Sequence, residues 1–309
     1  MKYGQVAGVP KPASRIGLGS VRFSPDRQEV SNALLDSFLE QGGNCIDTAW
    51  VYGKGTAEKA VGAWIENREV RGEIVLVGKG AATARCTPEM VITQLAESLE
   101  RLRTGYIDLY LMHRDNVEIP VGEFVECLNE QHRAGRIHAF GGSNWTTKRI
   151  EEANAYSASH GLVGFAASSP NFSLAVWNEP RWIDCLSASD NASREWYQRA
   201  RIALFAWSSQ AAGFFTGRYA ETDLESPAAK EMAKVWFNDD NFRRLRRVQE
   251  LAGRKGVTPN QVALAYVLCE SPNTFALIGP ERIEELRDSL GALDLELSPS
   301  ERRWLNLEA

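Results

Sequence analysis

The chain has 309 residues, of which 44% are hydrophobic, and its formal net charge is −5. This length allows a large core without cross-links. Interspersed charges of both signs exclude the broad basic surface that nucleic-acid-binding proteins need. One basic run, at 243–247, lies in a helical pattern flanked by acidic residues, and we predict that it forms a solvated helix face.

Five cysteines are scattered along the chain, without a Cys-x-x-Cys pair or a histidine at metal-ligand spacing. We therefore expect reduced thiols, no metal site and a cytoplasmic location. The amino-terminal residues contain no long apolar segment, and no apolar run is long enough to cross a membrane. Export and membrane insertion are thus not expected, and the oligomeric state stays open.

Eight short apolar runs alternate with helical patterns along the chain. In chain order, the runs end near Gly19, Asp47, Lys79, His113, Asn144, Ser169, Ser208 and Gly279. This alternation predicts a parallel α/β structure, and eight repeats favour closure into one (β/α)8 TIM barrel spanning residues 1–309. No Gly-x-Gly-x-x-Gly turn follows a run, so a Rossmann dinucleotide site is not predicted.

Local signals place several helices within this pattern. Thr87 followed by Pro88 predicts a capped helix start, and Ser298 with Glu301 forms the pattern of a capping box. One apolar stripe is predicted for the first long helix, and it consists of Val30, Leu34, Leu35, Phe38 and Leu39. The polar segment at 221–241 is long enough to form a lid over one face of the barrel.

Ionisable side chains stand where three of the apolar runs end. Asp47 closes the second run, Tyr52 lies in the loop just beyond it, and Lys79 and His113 end the third and fourth runs. In a (β/α)8 barrel this edge carries the chemistry. Each residue alone also has an ordinary explanation, as a turn former, a solvated strand end or a core histidine. Four such positions together favour a functional site.

These four residues suit a proton-transfer site. A nearby ammonium favours the ionised form of a phenol, and a carboxylate can anchor that ammonium, which makes Tyr52 a tuned proton donor. A neutral imidazole at His113 can hydrogen-bond a carbonyl oxygen and orient it. A different enzyme class stays open, in which Lys79 forms a Schiff base as the nucleophile of a lyase.

Several motifs make the chain similar to the aldo-keto reductase family. They are Gly-x-Asn-x-Ile-Asp-Thr-Ala-x-x-Tyr-Gly at 42–53, Val-Gly-Lys at 77–79, the strand at 108–113, Gly-Ser-Asn at 142–144 and the segment at 256–264. The resemblance covers nearly the whole chain. It implies a (β/α)8 barrel that binds an extended nicotinamide cofactor without a Rossmann fold and interconverts a small-molecule carbonyl and its alcohol.

The resemblance also implies roles for individual residues. Tyr52 would be the general acid, Asp47 and Lys79 its proton-tuning partners, and His113 the group that orients the carbonyl. Ser143 and Asn144 resemble the family's carboxamide-binding turn, and Trp207 stands where an aromatic ring packs against the nicotinamide. The implied cofactor-binding positions are Gly19, Ser20, Asp47, Ser143, Asn144, Ser169, Trp207, Ser208, Gln210, Gly279, Glu281, Arg282 and Glu285.

Two departures from the family pattern affect the cofactor. Ser169 replaces a frequent Gln, so that contact with the carboxamide is shorter or lost. Glu281 would repel the 2′-phosphate of NADP(H), whereas Arg282 or Arg287 could bind it. We expect NADP(H) on family grounds, with NAD(H) as the alternative.

The substrate is less well defined by the sequence. Loops at the predicted mouth offer Val21, Trp50, Tyr52, His113, Arg114, Trp145 and Phe172. Aromatic faces with an arginine suit a sugar-derived carbonyl and equally a small aromatic ketone. A cofactor-binding regulatory subunit is a third, non-enzymatic alternative, which the complete set of four residues disfavours.

Overall fold

The computed structural model describes residues 1–220, 223, 229–270 and 273–308. Eight parallel strands close into a barrel, which confirms the predicted (β/α)8 fold. The barrel strands are β3 Ile16–Gly19, β4 Cys45–Asp47, β5 Val75–Gly80, β6 Ile107–Met112, β7 Ile137–Ser143, β8 Ala167–Ser169, β9 Ala203–Ala206 and β10 Thr274–Ile278. Their order around the barrel is β10-β3-β4-β5-β6-β7-β8-β9.

A short antiparallel hairpin precedes the barrel. Its strands are β1 Tyr3–Gly4 and β2 Ala13–Ser14. Val6 and Val9, between these strands, are buried in the same apolar cluster as the side chains that fill the barrel interior. The hairpin therefore closes the amino-terminal end of the barrel.

Helices surround the barrel and are joined to it by an apolar layer. They are α1 Gln28–Glu40, α2 Thr56–Arg68, α3 Pro88–Arg101, α4 Val121–Arg133, α5 Thr147–His160, α6 Asn191–Ala200, α7 Lys230–Trp236, α8 Asp239–Lys255, α9 Pro259–Glu270, α10 Ile283–Gly291 and α11 Pro299–Leu305. The predicted caps are confirmed: Thr87 Oγ1 accepts from the Met90 N–H at 3.3 Å, and Ser298 and Glu301 form a capping box.

Two cores result from this arrangement. Alternate strand residues point into the barrel, where the rings of Phe205 and Phe275 stack with centroids 4.6 Å apart. The other face of each strand packs against the helices in the outer layer. Because the interior is filled, ligands have room only at the ends of the strands.

Three local predictions need correction. Val30 is 42% exposed, so the buried stripe of α1 is narrower than predicted. Arg244 in α8 is only 7% exposed and its guanidinium donates to Asn241 Oδ1, so the basic run is not wholly solvated. Within the predicted lid, α7 buries Val235 and Trp236 in the outer core, whereas residues 221, 222 and 224–228 lie outside the described residues.

In the described part of the chain, no helix is both long and apolar enough to cross a bilayer. The His, Cys, Asp and Glu residues within the same part form no group of three or more that could hold a metal ion.

Candidate active site

The carboxyl ends of three neighbouring strands bring the predicted proton-transfer residues together. Asp47 ends β4, Lys79 lies near the end of β5, and His113 directly follows β6. The parallel register pairs Asp47 with Val77 and Lys79 with Leu111, which places the side chains at successive levels of one edge. Main-chain bonds extend this edge, since the His113 N–H donates to Gly80 O at 2.6 Å.

A buried ion pair forms the base of the site. The Lys79 ammonium donates to Asp47 Oδ1 and to Thr48 O, the latter at 3.2 Å. Lys79 and Asp47 are 2% and 3% exposed. With water excluded, the two charges interact far more strongly than a surface pair would.

Tyr52 lies over this ion pair. Its ring centroid is 5.2 Å from the Lys79 ammonium and 5.9 Å from the His113 ring, which it meets edge-on at 78°. The four residues that the sequence singled out, Asp47, Tyr52, Lys79 and His113, therefore form one cluster, which we call the tetrad.

The environment sets the protonation states of the tetrad. Burial raises the pKa of Tyr52 above its usual value, although the Lys79 ammonium opposes the rise, so the phenol is a neutral acid at pH 7. Burial disfavours the charge on Lys79, but Asp47 and Tyr52 outweigh this effect and raise its pKa. Burial, with the nearby Lys79 and Arg114 charges, lowers the pKa of His113 well below its usual value, which keeps the imidazole neutral.

The same protonation states disfavour the lyase alternative. A Schiff-base nucleophile must be an uncharged amine. Lys79 is instead a buried ammonium held by Asp47, and its pKa is raised rather than lowered. Its geometry suits tuning of a neighbouring phenol.

The Ser143–Asn144 turn adjoins the tetrad through His113. Asn144 has a left-handed φ of 59°, and its amide Nδ2 donates to His113 O at 3.4 Å. The Ser143 hydroxyl donates to Ser169 O, and the Ser169 hydroxyl donates to Phe205 O, both at 2.8 Å. Both hydroxyl protons are thus used inside the protein, and the short Ser169 side chain braces β8 against β9.

Trp207 and Gln210 follow β9 on the opposite side of the mouth. Trp207 is half-buried, and the Ser208 that follows it has a left-handed φ of 48°. The Gln210 amide donates to Asn260 Oδ1 at 3.1 Å and to Ser289 Oγ at 2.9 Å, which ties the loop to α9 and α10.

Among the buried polar side-chain atoms that have no hydrogen-bond partner within the described residues, two belong to predicted cofactor positions. They are the Ser20 hydroxyl and the Trp207 indole N–H. Unpaired buried polar groups are costly, and they are expected where a bound ligand supplies the missing partner. A nicotinamide dinucleotide bound at these positions would supply a partner for both atoms, and in this respect the residues present fit it.

Charged residues surround the predicted adenosine end after β10. Glu281 pairs with Arg22 at 3.3 Å, and Arg282 pairs with Glu285 at 2.8 Å. Burial raises the pKa of Glu285, but the Glu281 N–H, Arg282 and Arg218 outweigh it and lower that pKa below its usual value. Arg22 and Arg218 were not predicted from the sequence, although Arg22 lies in the short loop that follows the first barrel strand.

The predicted substrate residues separate into two groups. Val21 is exposed at the mouth, and the Arg114 guanidinium donates to His113 O at 2.8 Å and to Cys185 Sγ at 3.2 Å. Trp145 is only 2% exposed, and its ring packs against Phe165 with centroids 4.9 Å apart. The expectation that Trp145 lines the mouth is therefore wrong, because its indole fills the layer between barrel and helices.

Phe172 is also buried, with its ring centroid 6.3 Å from that of Tyr266.

Two other aromatic residues at the mouth, Trp177 and Trp182, were not predicted from the sequence. Their ring centroids lie 6.0 Å and 5.6 Å from that of Trp207, and Trp182 is 52% exposed. They lie in the poorly patterned stretch after β8, where no periodic signal marks them.

Known proteins resemble this chain in sequence. Norsolorinic acid reductase stcV of Emericella nidulans is 30% identical over 288 residues, which are 89% of this chain and 70% of that protein. The aryl-alcohol dehydrogenase [NADP(+)] of Phanerodontia chrysosporium is 27% identical over 303 residues, which are 90% of this chain and 76% of that protein.

Solved structures agree with the fold. A thermostable aldo-keto reductase, Tm1743, in complex with the inhibitor epalrestat superposes with a TM-score of 0.77 at 25% identity and covers 100% of both chains. An aldo/keto reductase from Klebsiella pneumoniae, in complex with NADP and acetate, has a TM-score of 0.71 at 25% identity and covers 97% of this chain and 93% of its own.

The sequence profile of the Aldo/keto reductase family matches residues 15–305. This match includes the whole barrel and every member of the tetrad. The predicted resemblance and the predicted oxidoreductase chemistry are confirmed. The chain therefore belongs to the aldo/keto reductase family, and its reaction class is the interconversion of a carbonyl compound and an alcohol.

Proposed function

We propose that this protein is an NADP(H)-dependent reductase of aromatic aldehydes or ketones, in which Tyr52 is the general acid and, in the reverse direction, the general base. The observation that carries the proposal is the tetrad itself. A neutral phenol lies against a buried ammonium and beside an imidazole that stays neutral. This is the set of groups that protonation of a developing alkoxide requires.

When bound, the cofactor would supply the hydride for the carbonyl carbon. The chain's own residues act on the carbonyl oxygen. The neutral His113 imidazole donates a hydrogen bond that orients this oxygen towards the Tyr52 hydroxyl, which gives it a proton. As Tyr52 becomes a phenolate, the Lys79 ammonium balances its charge, and Asp47 holds Lys79 in place.

The charged residues at the adenosine end support NADP(H) over NAD(H). Arg22, Arg218 and Arg282 bring three positive charges to a region that also holds the carboxylates of Glu281, Glu284 and Glu285. A 2′-phosphate would exchange places with a carboxylate on one of these guanidinium groups, which bind phosphate well. Glu281 is already paired with Arg22, so its repulsion of a phosphate is reduced.

Aromatic side chains support an aromatic substrate. Trp182 and Trp177 flank Trp207, and Arg114 adds one positive charge beside His113. Flat rings present apolar faces that stack well on a flat substrate. The relatives named above are a norsolorinic acid reductase and an aryl-alcohol dehydrogenase, which agrees with this substrate class. A sugar-derived carbonyl has more hydroxyl groups than these faces can hydrogen-bond.

We also place the protein in the cytoplasm. All five cysteines are unpaired thiols, as a reducing compartment favours.

Two measurements test the proposed function. Tryptophan fluorescence is titrated with NADPH and NADH, and NADPH oxidation is then followed with substituted benzaldehydes, aryl ketones and sugar aldehydes. We expect tighter binding of NADPH and a higher kcat/KM for the aromatic series. Tight NADPH binding without turnover of any carbonyl would instead support the regulatory alternative, and higher kcat/KM for sugars would refute the aromatic assignment.

A further inference from the structure

The loop that carries Tyr52 is held from outside the barrel by α3. The main-chain N–H of Trp50 donates to the main-chain carbonyl of Lys79 at 2.7 Å, so Trp50 is bonded to the strand that carries the ammonium of the tetrad. The Trp50 carbonyl accepts a hydrogen bond from the Arg101 guanidinium at 3.3 Å. Both main-chain groups of Trp50, two residues before Tyr52, are therefore fixed.

The Trp50 indole is held by the same helix. Its Nε1–H donates to Glu97 Oε2 at 2.8 Å, and the Arg101 guanidinium carbon lies 5.5 Å from the centroid of its ring. Arg101 also donates to Glu97 Oε2 at 2.7 Å, and this i,i+4 pair sets the two side chains side by side on α3. We call Glu97, Arg101 and Glu58 the α3 clamp.

Glu58, in the first turn of α2, completes the clamp. Its side chain is fully buried, and its Oε2 pairs with Arg101 at 3.2 Å. Arg101 thus joins three groups that belong to different parts of the chain: the Trp50 carbonyl, Glu97 and Glu58. A planar guanidinium can do this because it has five N–H donors in a fixed arrangement.

The residues after Tyr52 form a turn that fits around the same guanidinium. Gly53, Lys54 and Gly55 have left-handed φ values of 56°, 56° and 93°. A Cβ atom at Gly55 would lie 2.7 Å from an Arg101 nitrogen, so the guanidinium occupies the space that a side chain would need. Arg101 consequently contacts the loop on both sides of Tyr52, at Trp50 and at Gly55.

We propose that the α3 clamp is a positioning device for Tyr52, which sets the distance of the phenol hydroxyl from Lys79 and His113. This inference rests on the proposed role of Tyr52 as the general acid. Glu97 and Arg101 lie outside the tetrad and are positioning residues rather than catalytic ones. The clamp matters because a displacement of about 1 Å of a reacting group can cost about 10²-fold in rate.

The test compares Arg101→Lys and Glu97→Gln with a matched control. Arg101→Lys keeps the positive charge beside buried Glu58, so the protein retains a counter-ion there, but one ammonium cannot reach all three partners. Glu97→Gln keeps an acceptor for the Trp50 indole and removes one of the two carboxylate partners of Arg101, while Glu58 remains. The control, Glu66→Gln, breaks the exposed pair between Glu66 of α2 and Arg103, which lies two residues after the end of α3.

We expect Arg101→Lys to lower kcat about 10- to 100-fold with unchanged NADPH Kd. Glu97→Gln should lower kcat in the same way but less, and Glu66→Gln should leave kcat unchanged. The alkaline limb of the pH–rate profile should also move in Arg101→Lys, because the phenol is displaced from Lys79. Unchanged kcat in Arg101→Lys, with only a lower melting temperature, would show that the clamp merely supports stability.

A second readout needs no turnover and separates failure of this inference from failure of the proposed function. The protein is labelled with 3-fluorotyrosine, and Tyr52→Phe identifies the ¹⁹F resonance of Tyr52. We expect that resonance to shift in Arg101→Lys and to stay in place in Glu66→Gln. If the wild-type protein reduces no carbonyl, this shift still supports the positioning role, whereas an unmoved resonance overturns it.

Discussion

The two sides of the barrel mouth are built on different principles. On one side, β4, β5 and β6 lead to buried ionisable side chains, and the charged Lys79 and Asp47 are almost completely shielded from water. On the other side, β3 and β10 lead to exposed ion pairs, Arg22 with Glu281 and Arg282 with Glu285. We call these the catalytic side and the cofactor side.

Exposure to solvent determines how strongly the charges interact on each side. Buried charges interact strongly, so the catalytic side depends on each partner being present and correctly placed. Exposed pairs are screened and contribute little individually, so the cofactor side depends on the sum of its charges. Substitutions should therefore have large and specific effects on the catalytic side, and smaller effects, on ligand choice, on the cofactor side.

The largest effect is expected for Tyr52→Phe. Removal of the phenol hydroxyl deletes the proton donor, and kcat should fall about 10²- to 10⁴-fold. NADPH Kd should not change, because the cofactor side is intact. Stopped-flow or steady-state NADPH oxidation measures the first quantity, and fluorescence titration the second. A residual kcat close to that of the wild-type protein would refute the role of Tyr52.

Lys79→Met should have the largest effect on stability. It leaves the Asp47 carboxylate buried without its partner, which costs about 3–5 kcal/mol in free energy of unfolding. The control is Glu66→Gln, which breaks an exposed ion pair and should cost less than about 1 kcal/mol. Urea unfolding at pH 7 measures both values. Equal losses would mean that burial does not distinguish the two pairs.

On the cofactor side, Arg282→Ala should weaken NADPH binding about 10-fold, because one charged hydrogen bond to phosphate is worth about 1.5 kcal/mol. NADH binding and kcat at saturating NADPH should stay unchanged. Arg287→Ala is the matched comparison, since the sequence alone offered either arginine. A larger effect of Arg287→Ala on NADPH Kd would assign the phosphate to that residue instead.

The smallest effect concerns pH and His113. Its pKa is lowered in the folded protein, whereas in the unfolded chain it is about 6.5. Below pH 6.5 the unfolded chain therefore binds a proton that the folded protein does not, and stability falls as the pH falls. Between pH 7 and 5.5 the wild-type protein should lose about 1 kcal/mol more than His113→Gln in urea unfolding. Equal losses would mean that His113 titrates normally when folded.

The sequence was most informative about which side chains meet at the ends of the strands. Asp47, Lys79 and His113 could be identified because a charged or polar residue interrupts an apolar run, and parallel strands end at one edge. The position of Trp145 could not be predicted, because an aromatic residue after a strand fits either the mouth or the outer core. Only the packing of Phe165 against its ring decides between them.

Ion pairs and ring contacts between distant segments could not be predicted from the sequence either. Arg22 meets Glu281 across more than 250 residues of chain, and exposed charges carry no periodic signal. Trp182 approaches Trp207 from an irregular loop, and no repeat in the sequence predicts its direction. Such contacts follow from closure of the barrel, which brings its first and last strands side by side.

The amino-terminal hairpin restricts ligand entry and release to one end of the barrel. Val6 and Val9 plug one end of the barrel, and the stacked Phe205 and Phe275 rings fill its interior. Cofactor, substrate and product must then all enter and leave at the opposite end of the barrel. The ligand that binds deepest at this end has to bind first and dissociate last. A barrel that is closed at one end therefore favours ordered binding and release.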